Sequence, residues 1–78
     1  MDRQYGDARY HSLFVEDPID GFAGYRLVRT RFGESKDVAQ VTFWDAAGQF
    51  YFQTFGEDVP LAIARELMSE AETNIKVR

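Results

Sequence analysis

Residues 41–52 read VTFWDAAGQFYF, and the pairing chosen for this stretch decides what the chain folds around. Two short runs rich in β-branched and aromatic residues flank Asp45-Ala46-Ala47-Gly48, a pattern that predicts a β-hairpin. A four-residue loop suits it: Asp45 opens a type I turn and Gly48 takes the left-handed position. That loop pairs Trp44 with Gln49, Phe43 with Phe50, Thr42 with Tyr51, Val41 with Phe52 and Gln40 with Gln53. One face then carries Ala39, Val41, Phe43, Phe50 and Phe52. The other carries Gln40, Thr42, Trp44, Gln49, Tyr51, Gln53 and Phe55. A three-residue loop would pair Trp44 with Phe50 and scatter aromatic and polar residues over both faces. Because a one-residue slip exchanges the faces of a strand, the segregated pattern selects the four-residue loop.

Upstream of the hairpin, YRLVRTRF at residues 25–32 has strand-forming composition and ends at GESKD, a predicted turn or loop. VAQVTFW and QFYFQTF complete three strands, and short connections between neighbours imply an antiparallel meander. Downstream, a helix is predicted to begin at Asp58 or Val59. Pro60 then falls in its first turn, and Glu57 and Asp58 complement the positive end of the helix dipole. Ile63, Leu67, Ala71 and Ile75, with Ala64 and Met68 beside them, form one apolar stripe at helical spacing. Arg65, Glu66, Ser69, Glu70 and Thr73 point away from that stripe, and Glu72 and Lys76 are spaced for an i,i+4 pair.

The expected fold class is therefore α+β: a three-stranded antiparallel meander over residues 25–78, with one C-terminal helix packed on one face (βββα). Residues 1–24 form an N-terminal arm ending in the turn-rich EDPIDGFAG. Within the arm HSLFV is a candidate for one more short strand; otherwise the arm is irregular and packs through its aromatic residues.

Seventy-eight residues make a single small domain. A chain of this size buries roughly 60–65% of its unfolded surface, so its core is modest. It has no cysteine, which removes disulfides and thiolate–metal sites as sources of stability. No apolar run is long enough for a membrane span and no signal-peptide core is visible, so the expected location is cytoplasmic. The net charge of −4 is unevenly spread. Residues 1–24 hold two arginines against five acidic residues, whereas residues 25–55 hold four basic against three acidic ones. The acidic balance disfavours phosphate-rich partners, and only the middle segment offers a local positive field.

Catalytic and ligand-binding patterns are sparse. His11 is the single histidine, and neither a second histidine nor a cysteine can complete a transition-metal site. Asp17, Asp20, Asp45 and Asp58 fit turn and cap positions. Ser12, Ser35 and Ser69 lack an activating neighbour motif, and the scattered glycines form no phosphate loop. The chain is expected not to be an enzyme and to need no cofactor.

What remains is the second sheet face, where Trp44, Tyr51 and Phe55 interleave with Gln40, Thr42 and Gln53. Three kinds of cover are open to it: the arm folding back through Tyr5, Tyr10, Leu13, Phe14 or Phe22; a partner protein or second copy; or nucleic acid. Large aromatic residues rimmed by amides and hydroxyls are the usual make-up of an interface core. Arg26, Arg29 and Arg31 form the other notable cluster. Along a strand Arg29 and Arg31 share a face with Tyr25 and Leu27, while Arg26 sits with Val28, Thr30 and Phe32, and the pattern leaves open which set looks inward. An edge strand kept soluble by charge is the simplest explanation for them.

The order YRLVRTRFGE, VAQVTFWDAAGQFYFQTF, EDVPLAIARELMSEA resembles the three-strand-plus-helix DNA-binding domain of plant ethylene-response factors. It is also similar to the arm-binding domain of tyrosine-recombinase integrases. The likeness covers about residues 25–71 and rests on Tyr25-Arg26, Val28-Arg29 and Arg31, an exposed tryptophan and a terminal Thr54-Phe55. It implies a sheet laid in the DNA major groove, with Arg26, Arg29, Arg31 and Trp44 as the contacts. From the residues themselves, the leading expectation is a small non-enzymatic interaction module. It would bind another protein, or itself as a homodimer, through Trp44, Tyr51, Phe55, Gln40 and Gln53. The alternatives are DNA binding by the sheet arginines, and an acidic inhibitor that mimics nucleic acid.

Overall fold

The first 24 residues are woven into the sheet rather than hanging beside it. The computed structural model describes residues 1–75. Its elements are β1 (Asp2–Tyr5), β2 (Ala8–Asp17), β3 (Phe22–Arg31), β4 (Glu34–Trp44), β5 (Gln49–Thr54) and α1 (Leu61–Asn74). All five strands form one antiparallel sheet in the order β1-β2-β3-β4-β5. The fold is α+β with a meander and a C-terminal helix, but the expected three-stranded sheet is corrected to five strands. Beyond the expectation of HSLFV as a short strand, β2 runs over ten residues and pairs with β3 from Arg9–Thr30 to Asp17–Phe22.

The reason lies in the turn chemistry and in polar anchoring. Asp17 Oδ1 accepts from the Ile19 and Asp20 N–H groups at 3.0 and 3.1 Å, and the Gly21 N–H donates to the Asp17 carbonyl at 2.8 Å. This closed loop returns β2 directly onto β3. Midway along, β2 is tied to α1 by Ser12 Oγ and Glu70 Oε1 at 2.5 Å, and β1 is tied to it by Arg3 and Glu66 at 3.2 Å. Glu66 and Glu70, expected to point away from the packing, thus lock the N-terminal hairpin to the helix.

A second correction concerns GESKD. The turn is only Phe32-Gly33, with φ of 50° and 77° and Arg31 opposite Glu34. Both central residues at positive φ is the twist-matched two-residue hairpin geometry. Glu34 onward therefore pairs as strand, and Phe32 projects at the hairpin tip, exposed. Near the middle of β4 the register shifts: Leu27 opposes Ala39 but Val28 opposes Asp37, leaving Val38 as an extra residue. Such a bulge bends the strand, and Val38 is completely buried in the core.

The β4–β5 hairpin has the expected register, Trp44 with Gln49 through Gln40 with Gln53. Its loop closes through the Gly48 N–H on the Trp44 carbonyl at 2.8 Å, with Gly48 at φ 66°. The helix packs on the predicted face. Ile63, Ala64, Leu67, Ala71 and Ile75 are buried and Met68 is half-buried. They meet Leu27, Ala39, Val41 and Phe43 from the middle strands, and Ala8 and Tyr10 from β2. Full burial of Leu27, Ile63 and Leu67 contributes roughly 1.5–3 kcal/mol each, so this layer dominates the stability. α1 lies over β3 and β4, and Phe52 at the β5 margin keeps 38% of its surface exposed.

The helix starts later than expected. Pro60 stands at the N-cap, and the first turn holds no acidic residue. Glu57 is instead drawn to Lys36 and to Arg29 at 3.5 Å, so it neutralises the sheet rather than the helix dipole. The Glu72–Lys76 pair lies partly outside the described residues.

Candidate functional site

The face opposite the helix is built by strand alternation. Across the sheet its rows run Leu13–Arg26–Gln40–Gln53, then Val15–Gly24–Thr42–Tyr51, then Phe22–Trp44–Gln49. The face-back of residues 1–24 over this surface does not occur. Lying in the sheet plane, β2 widens the face by Leu13 and Val15, and the start of β3 adds Phe22. The Phe22 and Trp44 rings meet at 5.0 Å between centroids, tilted by 56°. Trp44 is 39% exposed and Tyr51 50%.

Gly24 stands in the second row between Val15 and Thr42. A Cβ there would run into the Val41 carbonyl oxygen and come within 3.1 Å of the Thr42 Cα. The β3 backbone is pressed onto β4 at this point, which only glycine permits. Between Val15 and Thr42 the row therefore carries no side chain, and the Phe22–Trp44 ring pair stands beside it.

A polar spine crosses the other side. Arg26 Nε donates to Gln40 Oε1 at 3.0 Å, and Gln40 Nε2 donates to Thr42 Oγ1 at 2.7 Å. The same guanidinium reaches Asp37 at 3.4 Å. Gln40 and Thr42 are 7% and 5% exposed although α1 lies on the opposite face, so their cover comes from overhanging neighbours in the sheet itself. Their hydrogen bonds are made within the face, which removes most of the cost of withdrawing them from water. Gln53 sits opposite Gln40 and is exposed. Phe55 is the exception among the expected contacts: it follows β5, is half-buried, and donates its N–H to Val38 at 3.1 Å.

The three arginines are not brought together. Arg26 shares the face of Trp44. Arg29 and Arg31 lie on the helix side, beside Glu57 at 3.5 Å and Asp7 at 3.1 Å respectively. With Tyr5 and Tyr10 these residues line an open cleft of about 490 Å³ whose cations already have carboxylate partners. Lys36 hydrogen-bonds the Glu57 carboxylate and, with Arg29 behind it, holds that carboxyl below its ordinary value. At the β1 margin the forked contacts of Arg9 on Asp2, at 2.8 and 2.5 Å, lower the Asp2 carboxyl likewise.

Comparison of the chain with protein-family models, curated proteins and solved structures found no match. Geometry alone therefore characterises the site. Among the described residues no group of three His, Asp or Glu side chains is placed to hold a metal ion, and no helix is long and apolar enough to cross a membrane. Sequence reasoning missed Leu13, Val15 and Phe22 as members of the face. The signal available was their apolar character at alternate positions on either side of a turn-rich loop.

Proposed function

We propose that this chain is a small non-enzymatic interaction module that docks a partner protein on the outer sheet face. The observation that carries this reading is the make-up of that face. Trp44, Phe22, Tyr51 and Leu13 stand exposed or half-exposed on it, while the polar groups between them are already hydrogen-bonded to one another. Exposed aromatic anchors beside pre-satisfied polar groups lose little on desolvation and have few rotamers to freeze. Arg26 supplies one fixed donor for orientation, since its guanidinium is held by Gln40 and Asp37.

Trp44 is the chain's single tryptophan, so its fluorescence reports this face alone. The test compares proteins retained by the wild type with those retained by a Trp44→Ala/Tyr51→Ala double variant of unchanged circular dichroism. A specific partner held only by the wild type, whose addition moves Trp44 emission to shorter wavelength, supports the reading. Retention of the same proteins by both, with Trp44 emission unmoved, contradicts it.

A further inference from the structure

The two edges of the sheet are defended very differently. β1, four residues long, carries Asp2 and Arg3, and these are engaged by Arg9 and Glu66. Short, charged strands of this kind resist pairing with other chains. β5 is Gln49-Phe50-Tyr51-Phe52-Gln53-Thr54, without charge, proline or bulge, and it is the last strand of the sheet.

The alternation of its backbone groups follows from one bond. The Phe55 N–H donates to the Val38 carbonyl, so in the β4–β5 ladder Gln49, Tyr51 and Gln53 also turn their N–H and C=O groups toward β4. Those of Phe50, Phe52 and Thr54 face the open edge. The five residues 49–53 read the same in both directions about Tyr51. A two-fold axis beside Tyr51 therefore places Phe50 opposite Phe52 of a second copy, with both bonds of that pair made by the outward groups. Tyr51 meets Tyr51 of the second copy in the closely spaced, non-bonded position, and Gln49 meets Gln53. Phe50 and Phe52 lie on the helix side, so the pairing also covers Phe52 where α1 leaves it exposed.

We infer that β5 pairs edge to edge with β5 of a second copy, in antiparallel register about Tyr51, to give one continuous ten-stranded sheet across two chains. The contact is isologous and closes on itself, and the guarded β1 edges stop further growth. It stands on the strand edge and does not require the outer face to bind a partner. The dimer carries two such faces in one plane, with Tyr51 of both copies at the join.

The test uses the full chain in sedimentation-equilibrium measurements. Wild type is expected at twice the monomer mass at high micromolar concentration. Tyr51→Lys and Tyr51→Glu should each be monomeric, because like charges then face each other across the axis. Their equimolar mixture should return to the doubled mass. Trp44→Ala should leave the dimer intact. A wild type that stays monomeric overturns the inference, as does a dimer that survives Tyr51→Lys. Loss of the dimer in Trp44→Ala with no recovery in the mixture also overturns it, and assigns association to the outer face instead. Amide hydrogens of Phe50 and Phe52 should exchange slowly only where the mass is doubled; fast exchange in the dimer counts against edge pairing.

Discussion

The two faces of this sheet use the same strands for different ends. On the helix side Leu27, Ala39, Val41 and Phe43 disappear beneath Ile63, Leu67 and Ala71, and stability is won by excluding water. On the outer side nothing lies over the strands among the described residues. Order comes there from a backbone pressed together at Gly24 and from the Arg26–Gln40–Thr42 chain of hydrogen bonds. One face is held by area, the other by geometry. A face that needs no cover to stay ordered is free to meet something else.

That contrast predicts unequal responses to substitution. The largest belongs to Leu67→Asp. It forfeits roughly 1.5–3 kcal/mol of burial and places a carboxylate among apolar side chains at a cost of several kcal/mol more. A domain this small holds only ~3–5 kcal/mol in total, so circular dichroism is expected to show no cooperative thermal transition. A melt near the wild-type temperature would break the assignment of the packed face.

Gly24→Ala comes next, and it probes the close approach of the two middle strands rather than the burial of an apolar side chain. The added methyl meets the Val41 carbonyl and forces β3 and β4 apart, costing ~1–3 kcal/mol. The melting temperature should fall by roughly 5–20 °C, with the variant still folded. Trp44→Ala should be milder. It removes a half-exposed ring and its tilted contact with Phe22, worth about 0.5–1.5 kcal/mol beyond area. Its melting temperature should drop by only a few degrees. A loss as large as that of Leu67→Asp would mean that the tryptophan is core and the faces are misassigned.

The smallest effect is a pH dependence on the helix side. Lys36, and then Arg29, keep the Glu57 carboxyl below its unfolded value. A depressed carboxyl contributes stability above the unfolded value, about pH 4.3, and loses it as pH falls through the folded one. Glu57→Gln should therefore flatten the acid limb of a stability–pH curve below about pH 4.3 while leaving the curve's shape near neutrality unchanged. Asp2, lowered in the same direction by Arg9, keeps part of that slope in the variant.

Where apolar periodicity was strong, the sequence was readable. The register of the β4–β5 hairpin and the buried stripe of α1 followed from alternation and from the Asp45–Gly48 loop. β1 and β2 were harder, because their attachment is polar. Tyr10 and Ala8 are their only buried residues, and Ser12, Arg3 and Asp17 do the anchoring through partners distant in the chain or within a loop. Phe32-Gly33 hid the length of β4, since phenylalanine rarely takes a positive φ and gave no turn signal. The arginines could not be sorted by pattern. Their faces are set by which side α1 covers, and Arg29 and Arg31 went to the side where Glu57 and Asp7 await them. Of the candidate site, Trp44, Tyr51, Gln40 and Gln53 were legible from the hairpin alone. Leu13, Val15 and Phe22 depended on strands that the periodicity concealed.

Acrylamide quenching of the single tryptophan decides whether the outer face is uncovered, because Trp44 stands on that face and is 39% exposed. In the folded protein Trp44 should be quenched with a sizeable fraction of the efficiency found in denaturant, whether the chain is monomeric or paired through β5. Emission at short wavelength that resists quenching in the native state would mean that the tryptophan is enclosed and that the face described here is not open.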